Sequence, residues 1–229
     1  MTKTKLKNSH PLIHISKLDG KLEGFRAISS NTVTNAFCIK QNKVTLENWI
    51  CSICYSHSSL NGFRKNAQPA LQRNSDILSK SIIPMEYLPL LMDAFIRFNA
   101  HGELINLTHL KNLINITIKN PHCTFALWTK RKDYISLVAK EIKIPDNLIL
   151  VYSNPVIDKP INTIPKHFHK VFNNVTFDKV EPETINCHTK CKDCFRCYKF
   201  SNNPNNNIIF EATKVNGRTI KNKASRVSL

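Results

Sequence analysis

The stretch that most restricts how this chain can fold runs from Phe95 to Tyr152, where three apolar strand-like runs alternate with two helical patterns. Phe95 to Asn99 reads as a strand, and Leu107, Leu110, Ile114 and Ile118 then recur at helical spacing until Asn120-Pro121 closes the pattern. Cys123 to Trp128 is the second strand, Ile135, Val138 and Ile142 mark a second amphipathic helix ending before Pro145, and Asn147 to Tyr152 is the third strand. Strand, helix, strand, helix, strand at this spacing predicts parallel β/α units with right-handed crossovers. The fold class is therefore α/β; parallel β/α units build either open sheets or barrels, and a partial (β/α) barrel is the form expected here. In such sheets the loops at the carboxyl ends of the strands carry the ligand site.

Around that block the reading extends in both directions. Residues 1–30 hold few periodic apolar positions and read as an N-terminal arm. A core domain over 31–180 opens with alternation of Val33, Asn35 and Phe37, which predicts a first strand with Cys38 at its carboxyl end. A helix over Ala67 to Ser81 and a short helical piece over Pro84 to Met92 follow. Residues 171–178 form another strand, and residues 181–229 make a cysteine-rich metal or cluster loop and a basic tail. Within that last part, Ile208 to Phe210 can return to the sheet.

The cysteines set the chemistry. Cys187, Cys191, Cys194 and Cys197 are spaced C-x3-C-x2-C-x2-C, and four thiols in eleven residues point to a metal or an iron–sulfur cluster. Nothing in the basic N-terminus has the apolar run of a signal peptide, and no segment approaches a membrane span, so a cytoplasmic location with no membrane partner is expected. In that compartment eight cysteines are thiols or ligands rather than disulfides. Zinc modules separate their cysteine pairs by a longer arm, whereas cysteines in close succession suit an iron–sulfur cluster; zinc is the alternative. Cys51 and Cys54 form a C-x2-C pair that supplies half a site, which Cys38, thirteen residues upstream, or His57 can complete. A redox pair would sit at a helix start directly after a strand.

Cys38, the Cys51/Cys54 turn, His101-Gly102-Glu103, Thr129 to Lys132 and Ser153-Asn154 all fall at the predicted carboxyl edge. Cys123 falls at the opposite edge as a core thiol, and His167 and His169 alternate on one face of an extended basic loop. A formal charge of +17 in 26.2 kDa implies a polyanionic partner, most simply nucleic acid, although a lysine- and asparagine-rich compositional bias would inflate it. From Cys187 onward, nine Lys/Arg against two Asp/Glu leave +7.

A β/α chain with Cys51-x-x-Cys54-Tyr55, a strand ending in Gly102-Glu103, and Phe125 to Lys130 on the next strand resembles radical S-adenosylmethionine (SAM) enzymes. With its late four-cysteine loop, the chain is similar to the phage- and plasmid-borne gene product eighty-eight family over roughly residues 30–200. The resemblance implies a 4Fe-4S cluster on Cys38, Cys51 and Cys54 whose remaining iron site chelates SAM. It implies cofactor-binding roles for Tyr55 and Gly102, and for Glu103 a contact with the SAM amine at the catalytic site. The usual first cluster cysteine would stand four residues before Cys51, where this chain has Glu47, so Cys38 must substitute across a longer loop. Cys187, Cys191, Cys194 and Cys197 would hold an auxiliary cluster. The expected function is an iron–sulfur protein of radical-SAM-like type from a mobile element, acting on or near nucleic acid or a nucleotide. The alternatives are a zinc-stabilised DNA- or RNA-binding protein and a non-enzymatic accessory protein.

Overall fold

The computed structural model describes residues 13–176, 179, 181–187 and 189–212. Among these described residues seven strands form a single sheet in chain order: β1 (Ser16–Lys17), β2 (Arg26–Ile28), β3 (Phe95–Phe98), β4 (Thr124–Thr129), β5 (Leu148–Ser153), β6 (Lys170–Val175) and β7 (Ile208–Ala212). Only the β1–β2 pair is antiparallel; every later pair is parallel. The helices are α1 (Ala36–Asn42), α2 (Tyr55–Asn61), α3 (Gln68–Lys80), α4 (Leu107–Lys119), α5 (Lys132–Val138) and a single turn, α6 (Cys191–Cys194). The protein is thus a mixed α/β fold built on a mostly parallel sheet. α4 starts where the Asn106 side chain accepts from the His109 backbone N–H, and it stops at Asn120, before Pro121.

Strand register divides the sheet into two faces, because alternate side chains point to opposite sides. Ile28, Phe98, Leu127, Leu150 and Val171 lie on one face and pack against Leu78 of α3, Leu110 and Leu113 of α4, and Ile135 of α5. The opposite face carries Ala126 and Trp128 of β4, Ile149 and Val151 of β5, and Ile209 of β7. That face is covered by Phe25 and by Cys197 and Tyr198, which belong to the connection between β6 and β7. Being buried on both sides explains why β4 and β5 read as nearly unbroken apolar runs.

Three expectations are corrected. The alternation over 33–38 is not a strand: the Asn31 side chain accepts from Val33 N, the Asn35 side chain accepts from Cys38 N, and the chain enters α1. Two asparagine-built turns override a weak period-two signal. Residues 16–28 do not trail as an arm, since β1 and β2 are part of the sheet. The helical piece over 84–92 shrinks to a 3-10 turn at Met85–Tyr87, because Leu88 precedes Pro89 and takes the extended conformation that proline imposes. The sheet also draws strands from both sides of the 31–180 block, with β7 inside the segment assigned to the cysteine loop. The first twelve residues and the basic tail from 213 lie outside the described residues.

Buried asparagines tie the helix ends to the loops. Asn112, fully buried in α4, donates to Leu78 O and Ser81 O and accepts from Ile83 N, each within 2.9 Å. In the same way Asn120 ties the end of α4 to the loop before β3, and Asn147 holds the loop before β4. Asn112→Ala strands three buried main-chain groups and is expected to cost about 2–4 kcal/mol, read as a lower urea midpoint at unchanged slope.

Candidate functional site

The carboxyl ends of β3 to β7 bring one row of side chains to a cavity of about 380 Å³ on the sheet face away from α3 to α5. Arg97 of β3, Trp128 of β4, Ser153 of β5, Phe172 and Asn174 of β6 and Glu211 of β7 lie on that face, and Asn99 and Lys130, each just past the end of its strand, line the cavity with them. Cys38, Cys51 and Cys54 line the same cavity, as do Cys187, Cys191 and Cys197. All three early cysteines and three of the four late ones therefore face one chamber.

The first set is positioned by α1 and the turn beside it. Cys38 is the third residue of α1, Cys51 lies in the 3-10 turn Ile50–Ile53, and Cys54 caps α2, its sulfur accepting from His57 N at 3.5 Å. Asn42 Nδ2 donates to Cys51 O at 2.7 Å, and Trp49 Nε1 donates to Gln41 Oε1 at 3.1 Å, which locks the turn against α1. Ile50 N bonds Pro155 O, anchoring the same turn to the loop after β5. Burial pushes the Cys38 thiol well above the usual range and raises that of Cys51; Glu103 and Cys54 add to it, and only Lys130 pulls the other way. Burial also works against the Lys130 ammonium, but Cys51, Glu103, Cys54 and Cys38 outweigh it, so this lysine stays charged above its ordinary pKa. Its Nζ donates to Ser153 Oγ at 3.0 Å.

Between the cysteine sets lies the turn at Gly102 and Glu103. Gly102 has φ +76°, and a Cβ there would stand 2.1 Å from Ser30 Oγ and 2.6 Å from Ser30 O, so only glycine fits. Its N–H donates to Thr32 Oγ1 (2.7 Å), which meets Ser56 Oγ, which in turn meets His101 Nδ1 at 2.7 Å. This chain joins the β2 loop, α2 and the glycine turn. The Glu103 carboxylate is buried and accepts from Leu104 N (2.8 Å), Thr129 Oγ1 (2.6 Å) and Lys130 N (2.8 Å). Two of these reach Oε1 and one reaches Oε2, which leaves one acceptor direction on Oε2.

Burial lowers His101 and His109 to about 4. A histidine kept neutral in the fold takes up its proton first in the unfolded chain. Stability is therefore complete above about pH 6.5 and falls as pH drops from 6.5 towards 4, by up to about 3 kcal/mol per histidine. Urea midpoints measured across that window should decline steeply, and His109→Gln should flatten the decline.

The second set covers the sheet. Cys191 and Cys194 bound the turn α6, Phe195 at φ 51° reverses the chain, and a 3-10 turn over Arg196–Tyr198 buries Cys197 and Tyr198. Phe25 and Tyr198 rings lie 4.7 Å apart and Phe95 and Phe195 4.9 Å apart, an aromatic seal beneath the cysteines. All four cysteines border a second, water-sized cavity of about 10 Å³. Burial raises the Cys191 thiol to about 11 and those of Cys187 and Cys197 as well, while Arg97 and Lys21 oppose it at Cys191. Lys170 is buried below this set, its ammonium on Asn207 Oδ1 at 2.7 Å, and burial lowers its pKa. Among the described residues no three His, Cys, Asp or Glu side chains converge as ligands of one ion; the cysteines ring cavities instead.

A family model described as Gene product 88 matches residues 4–197. The chain belongs to the Gene product 88 family. The matched span ends at Cys197 and so takes in both cysteine sets and the glycine turn. No curated protein and no solved structure matches the chain. Among the described residues no helix of this family member is long and apolar enough to cross a membrane.

Other residues singled out in the sequence are placed as follows. Tyr55 is 62% exposed, packs against Phe63 and does not line the chamber, whereas His57 does. Cys123 is buried at the start of β4, at the far edge. His169 is half-buried, and its Nδ1 accepts from Leu150 N at 2.9 Å, so it pins β5. Arg97, Asn99, Thr32, Ser56 and Lys21 contribute to the site without having been marked in the sequence. An arginine at alternate spacing inside the apolar run Phe95 to Phe98 was the available signal for the first of them.

Proposed function

We propose that this Gene product 88 chain is an iron–sulfur protein of radical-SAM-like type. The observation that carries the reading is the single chamber lined by Cys38, Cys51 and Cys54 and also by Cys187, Cys191 and Cys197, with Gly102 and Glu103 at its wall. Parallel strands in chain order, their carboxyl ends turned to one cavity, support a partial β/α barrel whose inner face the second cysteine set covers.

The donor set fits clusters. Thiols disposed around a cavity suit a group whose thiolates attach to separate irons better than a lone ion, whose ligands must meet at one point. Lys130 beside the first set, and Arg97, Lys21 and Lys170 beside the second, offset thiolate charge that burial would otherwise disfavour. Cys38, Cys51 and Cys54 would hold one 4Fe-4S cluster, and Cys187, Cys191, Cys194 and Cys197 another. A cluster with three protein thiolates supplies an open iron site and one-electron reducing power when bound. The chain's own residues do the remaining work. Glu103 fixes the end of β4 through Thr129 and Lys130, and its spare Oε2 direction can accept from a ligand amine. Phe37, Trp128 and Phe172 wall the chamber and limit water.

The test is a pair of cysteine variants in full-length protein purified without oxygen. C51A with C54A should lose about half the iron and all SAM binding, and C191A with C194A should lose the other half while SAM still binds. Unchanged iron in both would overturn the ligand assignment.

The charge of +17 supports a polyanionic partner, and nucleic acid or a nucleotide is the polyanion proposed. Eight of these charges, three lysines in 1–12 and five Lys/Arg in 213–229, lie outside the described residues. Affinity for single- or double-stranded DNA should fall steeply from 50 to 200 mM salt, and salt-independent binding would refute it.

A further inference from the structure

We propose that Arg97 binds an oxyanion, a carboxylate or a phosphate, on a small substrate that enters the chamber between the two cysteine sets. The inference rests on reading the chamber as a reaction site. The Arg97 side chain lines the chamber and makes no hydrogen bond or ion pair among the described residues. Arginine carries five N–H donors in a planar fork suited to oxyanions, and its Nε here is buried without a partner. The guanidinium lies 4.0 Å over the Trp128 ring, which fixes its orientation while leaving the donors unused.

No carboxylate pairs with Arg97 among the described residues. Glu211 is paired with Lys21 and Asp93 with Arg26, and Glu103 accepts from Leu104, Thr129 and Lys130 rather than from Arg97. On the same wall, Asn99 Oδ1 and Trp128 Nε1 are also buried and unpartnered. Asn99 follows the end of β3 with φ 58° and lines the chamber together with Arg97 and Trp128. The wall therefore offers donors at Arg97 and Trp128 and an acceptor at Asn99, which matches a ligand that carries both an anionic group and a hydroxyl or amine. A chamber of about 380 Å³ is of small-molecule size. The competing explanation is that Arg97 only balances thiolate charge at Cys191 and Cys197, whose pKa values it opposes.

Calorimetric titration of anaerobically purified full-length protein with inorganic phosphate and with succinate, at fixed ionic strength, decides between them. At least one anion should bind saturably, and Arg97→Gln should weaken it tenfold or more with iron, zinc and sulfide content unchanged. Tighter phosphate binding assigns a phosphorylated substrate, and tighter succinate binding a carboxylate. Arg97→Lys keeps the charge but loses the fork; it should bind several-fold more weakly than wild type, and it serves if Arg97→Gln does not fold. The proposal is overturned if neither anion saturates, if both variants bind like wild type, or if metal is lost together with binding. Anion binding through Arg97 in a protein holding zinc and no iron would sink the iron–sulfur reading alone. Clusters without anion binding would sink this inference alone.

Discussion

Gly102→Ala is expected to destabilise the protein by about 2–6 kcal/mol, combining positive-φ strain of about 1–3 with overpacking of about 1–3. The physical reason is local and severe. The added methyl would stand 2.1 Å from Ser30 Oγ, 2.6 Å from Ser30 O and 2.9 Å from Ser30 C, and main-chain atoms cannot swing aside as a flexible side chain can. Relief would require moving the β2 loop, which also carries Thr32, and with it the Thr32–Ser56–His101 chain that holds α2 beside the turn. Thermal unfolding should therefore shift down by at least about 4 °C for a chain of this length. Cys51 and Cys54, which lie directly before and at the start of α2, should become more reactive to thiol reagents. A G102A protein with wild-type melting and wild-type thiol reactivity would contradict the placement of this turn.

Glu103→Ala has the second large effect. It leaves Leu104 N, Thr129 Oγ1 and Lys130 N without their acceptor in a site where Glu103 itself is 5% exposed. Loss of a buried charged acceptor serving three donors costs on the order of 3–5 kcal/mol. Glu103→Gln retains the shape and one acceptor oxygen, so it should cost about 1–2 kcal/mol, with the amide group facing one former donor. Chemical denaturation should rank wild type above E103Q above E103A. An E103A variant within about 0.5 kcal/mol of wild type would show that the carboxylate does not fasten β3 to β4. Because the same residue has a spare direction toward the chamber, E103Q also separates roles: a ligand contact predicts weaker SAM binding at near-normal stability.

The parts of the fold legible in the sequence were those where burial forces a period. β3 to β5 and α3 to α4 have long apolar faces, and their expected spans coincide with the observed ones to within a few residues. β1 and β2 are two and three residues long, too short for any period to register, and so residues 16–28 looked like an arm. At 33–38 the competing signal was turn chemistry from Asn31 and Asn35, which residue alternation does not weigh. The cysteines and the Gly102-Glu103 turn were legible as chemistry, because rare residues in tight spacing stand out. The role of Arg97 was not, since what marks it is a buried Nε without a hydrogen-bond partner, a property of tertiary packing. The asparagines were read partly as compositional bias, yet Asn74, Asn112, Asn120 and Asn147 each hold two or more main-chain groups. The order of the strands brought Cys187, Cys191 and Cys197 against a chamber they share with Cys38, Cys51 and Cys54, across more than a hundred intervening residues.

The central claim is that this chamber is built around iron–sulfur clusters. Iron, zinc and acid-labile sulfide determined on the full-length protein after anaerobic purification test it most directly. Iron and sulfide in equal amounts, with a broad absorbance near roughly 400 nm that bleaches on reduction, is the predicted result. A colourless protein carrying stoichiometric zinc and no sulfide would contradict it.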